Sequence, residues 1–231
     1  MKVIIIGGVA GGASAATRLR RNCEDAEIIL VERGPQVSFA NCGLPYYLGG
    51  VIKERSKLLV TSAENLRTRF ALDVRTETLA ESIDPQARQV VLRDLKTDQV
   101  KAESYDKLIL AAGASPLRPP LEGLGLPGVF QLRNLEDTDQ IHEFASRARS
   151  ATVVGAGFIG LEMVENLCHR GLKVTLVELT PQLLPPLDPE MTQPLQAELE
   201  QNGVVTYLGD ARSKLAPGLQ VMLVSSKTGT T

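Results

Sequence analysis

Three stretches of this 231-residue chain combine residue types that do chemistry. The most regular is Gly155-Ala156-Gly157-Phe158-Ile159-Gly160, followed by a carboxylate, Glu178, eighteen residues after Gly160. In a G-x-G-x-x-G turn the first glycine permits the tight bend. The second lets backbone approach a pyrophosphate, and the third lets the next helix pack close to its strand. The pyrophosphate then sits on the helix N-terminus, where unpaired N–H groups and the helix dipole favour an anion. A carboxylate at Glu178 accepts ribose hydroxyls and repels a 2′-phosphate, and the residues after it are Leu179 and Thr180 rather than Arg. The turn therefore reads as a site for NADH in preference to NADPH.

The second stretch, Gly7-Gly8-Val9-Ala10-Gly11-Gly12, is less regular. In the frame that fits a helix it reads Gly7-x-Val9-x-x-Gly12, so the middle glycine is lost, but Glu32 follows twenty residues after Gly12. With the later turn covering a nicotinamide nucleotide, FAD is the expected guest here.

The third is Ser38-Phe39-Ala40-Asn41-Cys42-Gly43-Leu44-Pro45-Tyr46-Tyr47. Cys42 stands where a loop enters a helix, with Pro45 suited to the first turn. A helix N-terminus stabilises a thiolate, the form that redox or nucleophilic sulfur chemistry needs. A buried apolar cysteine is the alternative, against which the neighbouring Gly, Asn and Pro argue. No second cysteine lies within five positions. Cys42 must therefore pair with a substrate sulfur or cycle as a sulfenic acid. Cys23 reads as a helix-end residue and Cys168 as helix core. His142 and His169 have no metal-ligand spacing and are expected at the surface, so no metal site is expected.

These residues need elements to position them. Strand Lys2–Ile6, the first glycine turn, a helix to about Asn22 and strand Glu27–Val31 ending at Glu32 form one unit. About 150 positions later the pattern repeats: strand Thr152–Val154, turn, helix to about Arg170, strand Lys173–Val177 and Glu178. The fold class is α/β, with two Rossmann-like dinucleotide-binding domains of the FAD/NAD(P) type. Between them, Gln36–Gly50 is loop-like, a helical pattern covers about Ser62–Phe70, and Asp73–Ala102 suggests a small antiparallel insertion before strand Leu108–Ala112. Pro116, Pro119, Pro120, Gly123, Gly125, Pro127 and Gly128 mark the domain boundary. Domains are set at 1–118 (FAD-binding) and 119–231 (NAD(P)-binding). A helix over Pro189–Gln201 and strand Val204–Leu208 follow.

Composition sets limits. Lys plus Arg is 25 and Asp plus Glu is 27, so there is no basic excess to neutralise nucleic-acid or membrane phosphates. The apolar run Val3–Ile6 is too short for a secretory signal and stops at Gly7-Gly8. No apolar run reaches a membrane span. With three irregularly spaced cysteines, a reducing, cytoplasmic location is expected. Ser14, Arg18 and Arg21 share one helix face. From spacing alone this is either a solvated charged face or a phosphate-binding one.

Gly7–Gly12, Ser38–Cys42, Tyr105–Gly113, Leu132–Asp137 and Gly155–Glu162 together resemble the single-cysteine branch of the FAD/NAD-linked disulfide oxidoreductases, and within it the coenzyme A-disulfide and persulfide reductases. Val9 is a feature of that subfamily. The resemblance implies cofactor contacts from Gly7, Gly8, Val9, Ala10, Gly11, Gly12, Glu32, Arg33 and Asn41. It adds Ala111, Ala112, Gly113, Arg133, Gly155, Gly157, Phe158, Ile159, Gly160, Glu162 and Glu178. It implies substrate contacts from Ser14, Arg18, Arg21, Ser38, Asn41 and Arg69, and Cys42 as the catalytic sulfur. NADH would reduce FAD, which would reduce a mixed disulfide between Cys42 and coenzyme A; a persulfide fits the same chemistry.

Related NADH oxidases and peroxidases carry His where Ala10 stands, which disfavours that alternative. The two-cysteine reductases need a C-x4-C pair and a Lys where Tyr46 stands, so Glu162 lacks its usual partner and is free to contact the nicotinamide. Gly209-Asp210 imitates a flavin motif of the family, but its place after the third strand of the second unit predicts a structural role. The length exceeds one dinucleotide-binding domain and falls short of a whole enzyme of this kind. The expectation is the first part of a longer homodimeric enzyme, inactive alone. A nucleotide-binding fragment without turnover is the remaining alternative.

Overall fold

The computed structural model describes residues 1–116, 122–210 and 222–224. Pro119 and Pro120 of the expected boundary lie outside the described residues, as does the tail from Ala216 apart from 222–224. In chain order, the first elements are β1 (Lys2–Ile6), α1 (Gly11–Asn22), β2 (Glu27–Val31), α2 (Leu44–Leu48) and α3 (Ala63–Phe70). Strands β3 (Asp73–Arg75), β4 (Thr78–Asp84), β5 (Gln89–Asp94), β6 (Val100–Ser104), β7 (Lys107–Leu110) and β8 (Val129–Phe130) follow. Then come α4 (Leu135–Ala145), β9 (Ser150–Val154), α5 (Phe158–His169), β10 (Lys173–Glu178), α6 (Pro189–Gln201), β11 (Val205–Leu208) and β12 (Met222–Val224).

The chain folds as two compact units, Met1–Ala40 with Ser56–Gly113, and Asn41–Arg55 with Ala114–Thr231. Sequence alone placed a single cut between 118 and 119. The units instead interleave, because Asn41–Arg55, which carries Cys42, packs with the second one: Leu48 of α2 joins its core beside Met163 and Leu167 of α5.

In the first unit four parallel strands run in the order β3-β2-β1-β7, with Ile4 opposite both Ile29 and Leu108. Side chains alternate across a strand, so a strand buried on both faces must be apolar throughout. Val3 and Ile5 point to one face with Ile28 and Leu30, against Ala16 of α1 and Leu66 of α3. Ile4, Ile29 and Val31 point to the other, against Val90 and Leu92 of β5. The insertion is the antiparallel sheet β4-β5-β6. Its Glu103 is buried, with a carboxylate bonded to Lys2 at 2.6 Å and Arg75 at 2.8 Å and ion-paired with Lys101 at 3.3 Å.

The second unit holds a five-stranded parallel sheet, β11-β10-β9-β12-β8. Its first four strands repeat the order of the first unit, third-second-first-fourth in each. The core is Val153, Leu176, Met163, Leu167 and Ile141 with Leu48. β8 and β12 were not expected from sequence, and α4 only as a helical pattern around His142. α4 has a clear cause, a capping box in which Asn134 accepts the Asp137 N–H and Asp137 accepts the Asn134 N–H.

Candidate functional site

Each glycine turn is built around a backbone that no other residue could follow. Gly7 has φ +100°, and a Cβ there would lie 2.0 Å from the Ala111 carbonyl oxygen. A Cβ on Gly12 would lie 1.7 Å from the Gly7 oxygen. Gly155 has φ +104°. Gly7 N–H donates to Val31 O at 2.8 Å and Gly155 N–H to Val177 O at 2.7 Å, the same bond in each unit. Gly157 differs, since its φ is −77° and a Cβ there meets nothing within 4 Å. The fold does not need a glycine at that step, which is why Val9 stands at its counterpart without distorting the first turn.

Both carboxylates face back to their turns. Glu32 accepts Gly8 N–H at 2.7 Å through one oxygen and Gly34 N–H at 2.7 Å through the other. Glu178, 9% exposed, accepts Ala156 N–H at 2.6 Å through one oxygen; the other takes the Thr180 N–H at 2.8 Å and hydroxyl at 2.9 Å. Both Glu32 oxygens, and the Glu178 oxygen that takes Ala156, each carry one protein donor and keep acceptor capacity for ribose hydroxyls. Gly34 and Thr180 were missed from sequence; both sit two residues past the acid and fix it. The Asp210 N–H donates to Glu178 O and the Gly209 N–H to Thr180 O, so Gly209-Asp210 closes this same turn.

α1 and α5 begin without any side-chain cap, whereas Ser62 caps α3 through the Asn65 N–H. The unpaired N–H groups of α1 and α5 are thus left for a ligand anion. This fits a dinucleotide pyrophosphate at each turn. Phe158 and Ile159, at the start of α5, are 65% and 43% exposed, as residues that meet a ligand would be. Arg33 and Ala112 are exposed, and Gly113 has φ +70°. The Arg133 Nε donates to Ala114 O at 2.7 Å. Glu162 has no hydrogen-bond or ion-pair partner for its carboxylate among the described residues. Burial, aided by Glu165, pushes that carboxyl above the ordinary range.

Cys42 lies in a 3-10 turn, Asn41–Gly43, that runs into α2, with Pro45 in the first turn. It is exposed, whereas Cys23 caps the end of α1 and Cys168 packs against the core; all three thiols are free. The Asn41 Oδ1 is buried without a hydrogen-bond partner among the described residues. A buried acceptor in that condition calls for a donor. Within the second unit this segment is clamped. Arg55 grips Asp139 of α4 with bonds of 2.7 Å to each carboxylate oxygen, and Arg170 donates to Leu48 O at 2.9 Å. Tyr47 stacks on His142 at 5.1 Å, and a Cβ on Gly49 would lie 2.2 Å from Asn166 Oδ1. His142 is therefore half-buried rather than a surface residue, and burial with the Arg170 cation pushes its imidazole below the usual range. His169 is exposed.

Ser14, Arg21, Ser38 and Arg69 line one pocket of about 330 Å³ in the first unit, together with Thr17, Thr61, Asn65 and Phe70. Ser38 is held at φ +48°, uncommon for a residue with a side chain, and its N–H donates to Gly8 O at 3.0 Å. Arg18 does not line the pocket. It projects about 40° to the far side of Ser14 from Thr17 and Arg21 on the helical wheel. Among the described residues no group of His, Cys, Asp and Glu could hold a metal ion. No described helix is long and apolar enough to cross a membrane.

Two parallel α/β units, each with a glycine turn, an uncapped helix and a ribose-type carboxylate, define a protein that binds two dinucleotides, here with one exposed thiol. The chain belongs to the pyridine nucleotide-disulphide oxidoreductase family, whose model matches residues 1–231. It is 39% identical over 228 residues to a coenzyme A disulfide reductase of Staphylococcus epidermidis, covering 98% of this chain and 51% of that one. The crystal structure of reduced Bacillus anthracis CoADR-RHD superposes with a TM-score of 0.94 at 42% identity, over 97% of this chain and 43% of that one. A NAD-dependent persulfide reductase from A. fulgidus gives a TM-score of 0.94 at 34% identity, over 98% and 46%. The chain thus spans about half the length of the relatives it matches.

Proposed function

We propose that the whole protein is a flavin-dependent reductase that uses NADH to cleave the sulfur–sulfur bond of coenzyme A disulfide, or of a coenzyme A or other small persulfide, through Cys42. One observation carries the reading: the only exposed cysteine, unpaired, stands four residues along the chain from Ser38, a wall of a pocket that also holds Arg21 and Arg69.

The Gly7–Gly12 turn and α1 would hold the FAD pyrophosphate, with Glu32 on the adenosine ribose. When bound, the flavin supplies an acceptor for two electrons and a donor for the reduction of a disulfide. The Gly155–Gly160 turn and α5 would hold the nicotinamide nucleotide. Glu178, already carrying three protein donors and followed by exposed Leu179, favours a 2′-hydroxyl over a 2′-phosphate, hence NADH over NADPH. The Cys42 thiolate attacks one substrate sulfur, expels the other as a thiolate and keeps the first as a mixed disulfide; two electrons and a proton then free the second thiol. Arg21 and Arg69 hold phosphates, for which a guanidinium fork is well matched. Ala10 cannot transfer a proton, so peroxide and oxygen are not the favoured substrates.

We place the protein in a reducing, cytoplasmic setting, as a homodimer when whole, with no nucleic-acid or membrane partner. Three free thiols fit such a setting. The test is anaerobic NADH consumption by the complete protein with coenzyme A disulfide, set against peroxide and oxygen. Faster turnover of the disulfide supports the reading, and faster turnover of peroxide or oxygen overturns it.

A further inference from the structure

The pocket of the first unit contains an aromatic ring with no assigned role. Phe70 ends α3, and the guanidinium carbons of Arg21 and Arg69 lie over its ring, 5.9 Å and 5.6 Å from the centroid. Neither guanidinium forms an ion pair or hydrogen bond with a described residue, and both are exposed. Two like charges gathered at one ring repel each other, and no acidic residue lines the pocket. The arrangement makes sense when an anion of more than one charge arrives. The ring itself is fixed. It packs against the core beside Leu66, while Arg20 Nε donates to the Phe70 carbonyl at 2.8 Å and Arg20 also donates to Ala71 O at 3.0 Å. The ends of α1 and α3, which carry the two cations, are thereby joined through Phe70.

We infer that Phe70 is a positioning residue: its ring face holds Arg21 and Arg69 as a two-armed clamp for the phosphate-bearing end of the substrate. A ring quadrupole attracts a guanidinium without consuming its N–H donors, so the forks stay free for phosphate oxygens. Two long side chains held in place before binding lose less rotamer freedom when the ligand arrives. The inference rests on the reading that the pocket takes a coenzyme A thiol.

The experiment is equilibrium binding of coenzyme A to the full chain, with NADH binding measured beside it as a report on the fold. Phe70→Leu is expected to weaken coenzyme A about tenfold and leave NADH unchanged, while Phe70→Tyr stays within about twofold. A fluorinated phenylalanine at position 70, which keeps the shape but drains the ring face of charge, is expected to weaken coenzyme A in proportion to its fluorine content. This analogue keeps the test sharp even if Phe70→Leu fails to fold. Unchanged affinity with the fluorinated ring, or equal losses for Leu and Tyr, overturns the clamp and leaves the substrate reading standing. Failure of the unsubstituted chain to bind coenzyme A at all overturns the substrate reading and the clamp with it.

Discussion

The Glu178 carboxylate accepts the Ala156 N–H at 2.6 Å, bonding the end of β10 to the glycine turn before α5. Glu32 and Gly8 do the same in the other unit at 2.7 Å. The acid is thus set in place before any ribose arrives. Glu178→Gln keeps the shape but removes the charge. It is predicted to weaken NADH binding about tenfold and to narrow its advantage over NADPH, since a charged acceptor contributes about 1.5–3 kcal/mol. Titration of both nucleotides checks this; an unchanged preference for NADH contradicts the assignment of Glu178.

Two glycines of the same motif are predicted to behave differently. Gly157→Ala meets open space at an ordinary φ, so thermal stability should hold within about 0.5 kcal/mol while NADH binding falls. Gly12→Ala would drive a methyl onto the Gly7 carbonyl, and is expected to cost about 3 kcal/mol or more of stability. Melting curves of the two variants, with and without NADH, separate the demand of the ligand from that of the fold.

The Glu103 cluster predicts a pH signature. Burial alone would raise this carboxyl, but bonds to Lys2, Arg75 and Lys101 outweigh it and hold the group at about 2. A carboxylate depressed in the fold contributes stability above its ordinary value of 4.5, and the contribution is lost as pH falls through about 2. Glu103→Gln should therefore be less stable by about 2 kcal/mol near neutrality, with the gap closing below pH 4.5. Denaturant midpoints from pH 7 to pH 3 give the answer, and a gap that stays constant counts against the cluster.

Arg55→Ala removes the forked grip on Asp139. Both side chains are part exposed, so the global cost should be only about 1 kcal/mol. Local opening should rise more, with faster amide exchange across Asn41–Arg55 than elsewhere in the second unit. Uniform exchange rates would mean that Leu48 and the Arg170 bond suffice.

Much of this was legible in the sequence for physical reasons. Val3–Ile6 is apolar throughout because the strand is covered on both faces, and Ala151–Val154 is apolar but for the buried Thr152; Gly7 and Gly12 are required by backbone contact and Gly155 by its φ of +104°. Periodicity gave the face that Ser14 and Arg21 share but not where the pocket ends; Arg18, about 40° to the other side of Ser14, lies outside that lining. The grip on the Cys42 segment was not legible, since Arg55 and Asp139 are 84 residues apart and nothing local signals the pair. β12 is three residues long, too short for a pattern.

The central claim is that Cys42 takes a coenzyme A thiol from its disulfide. Reduced protein mixed with coenzyme A disulfide, then read by intact mass and peptide mapping, tests it without any need for turnover. The account predicts one coenzyme A adduct, on Cys42, released by dithiothreitol and absent from Cys42→Ser. Adducts distributed over Cys23 and Cys168, or an unmodified Cys42, would contradict it.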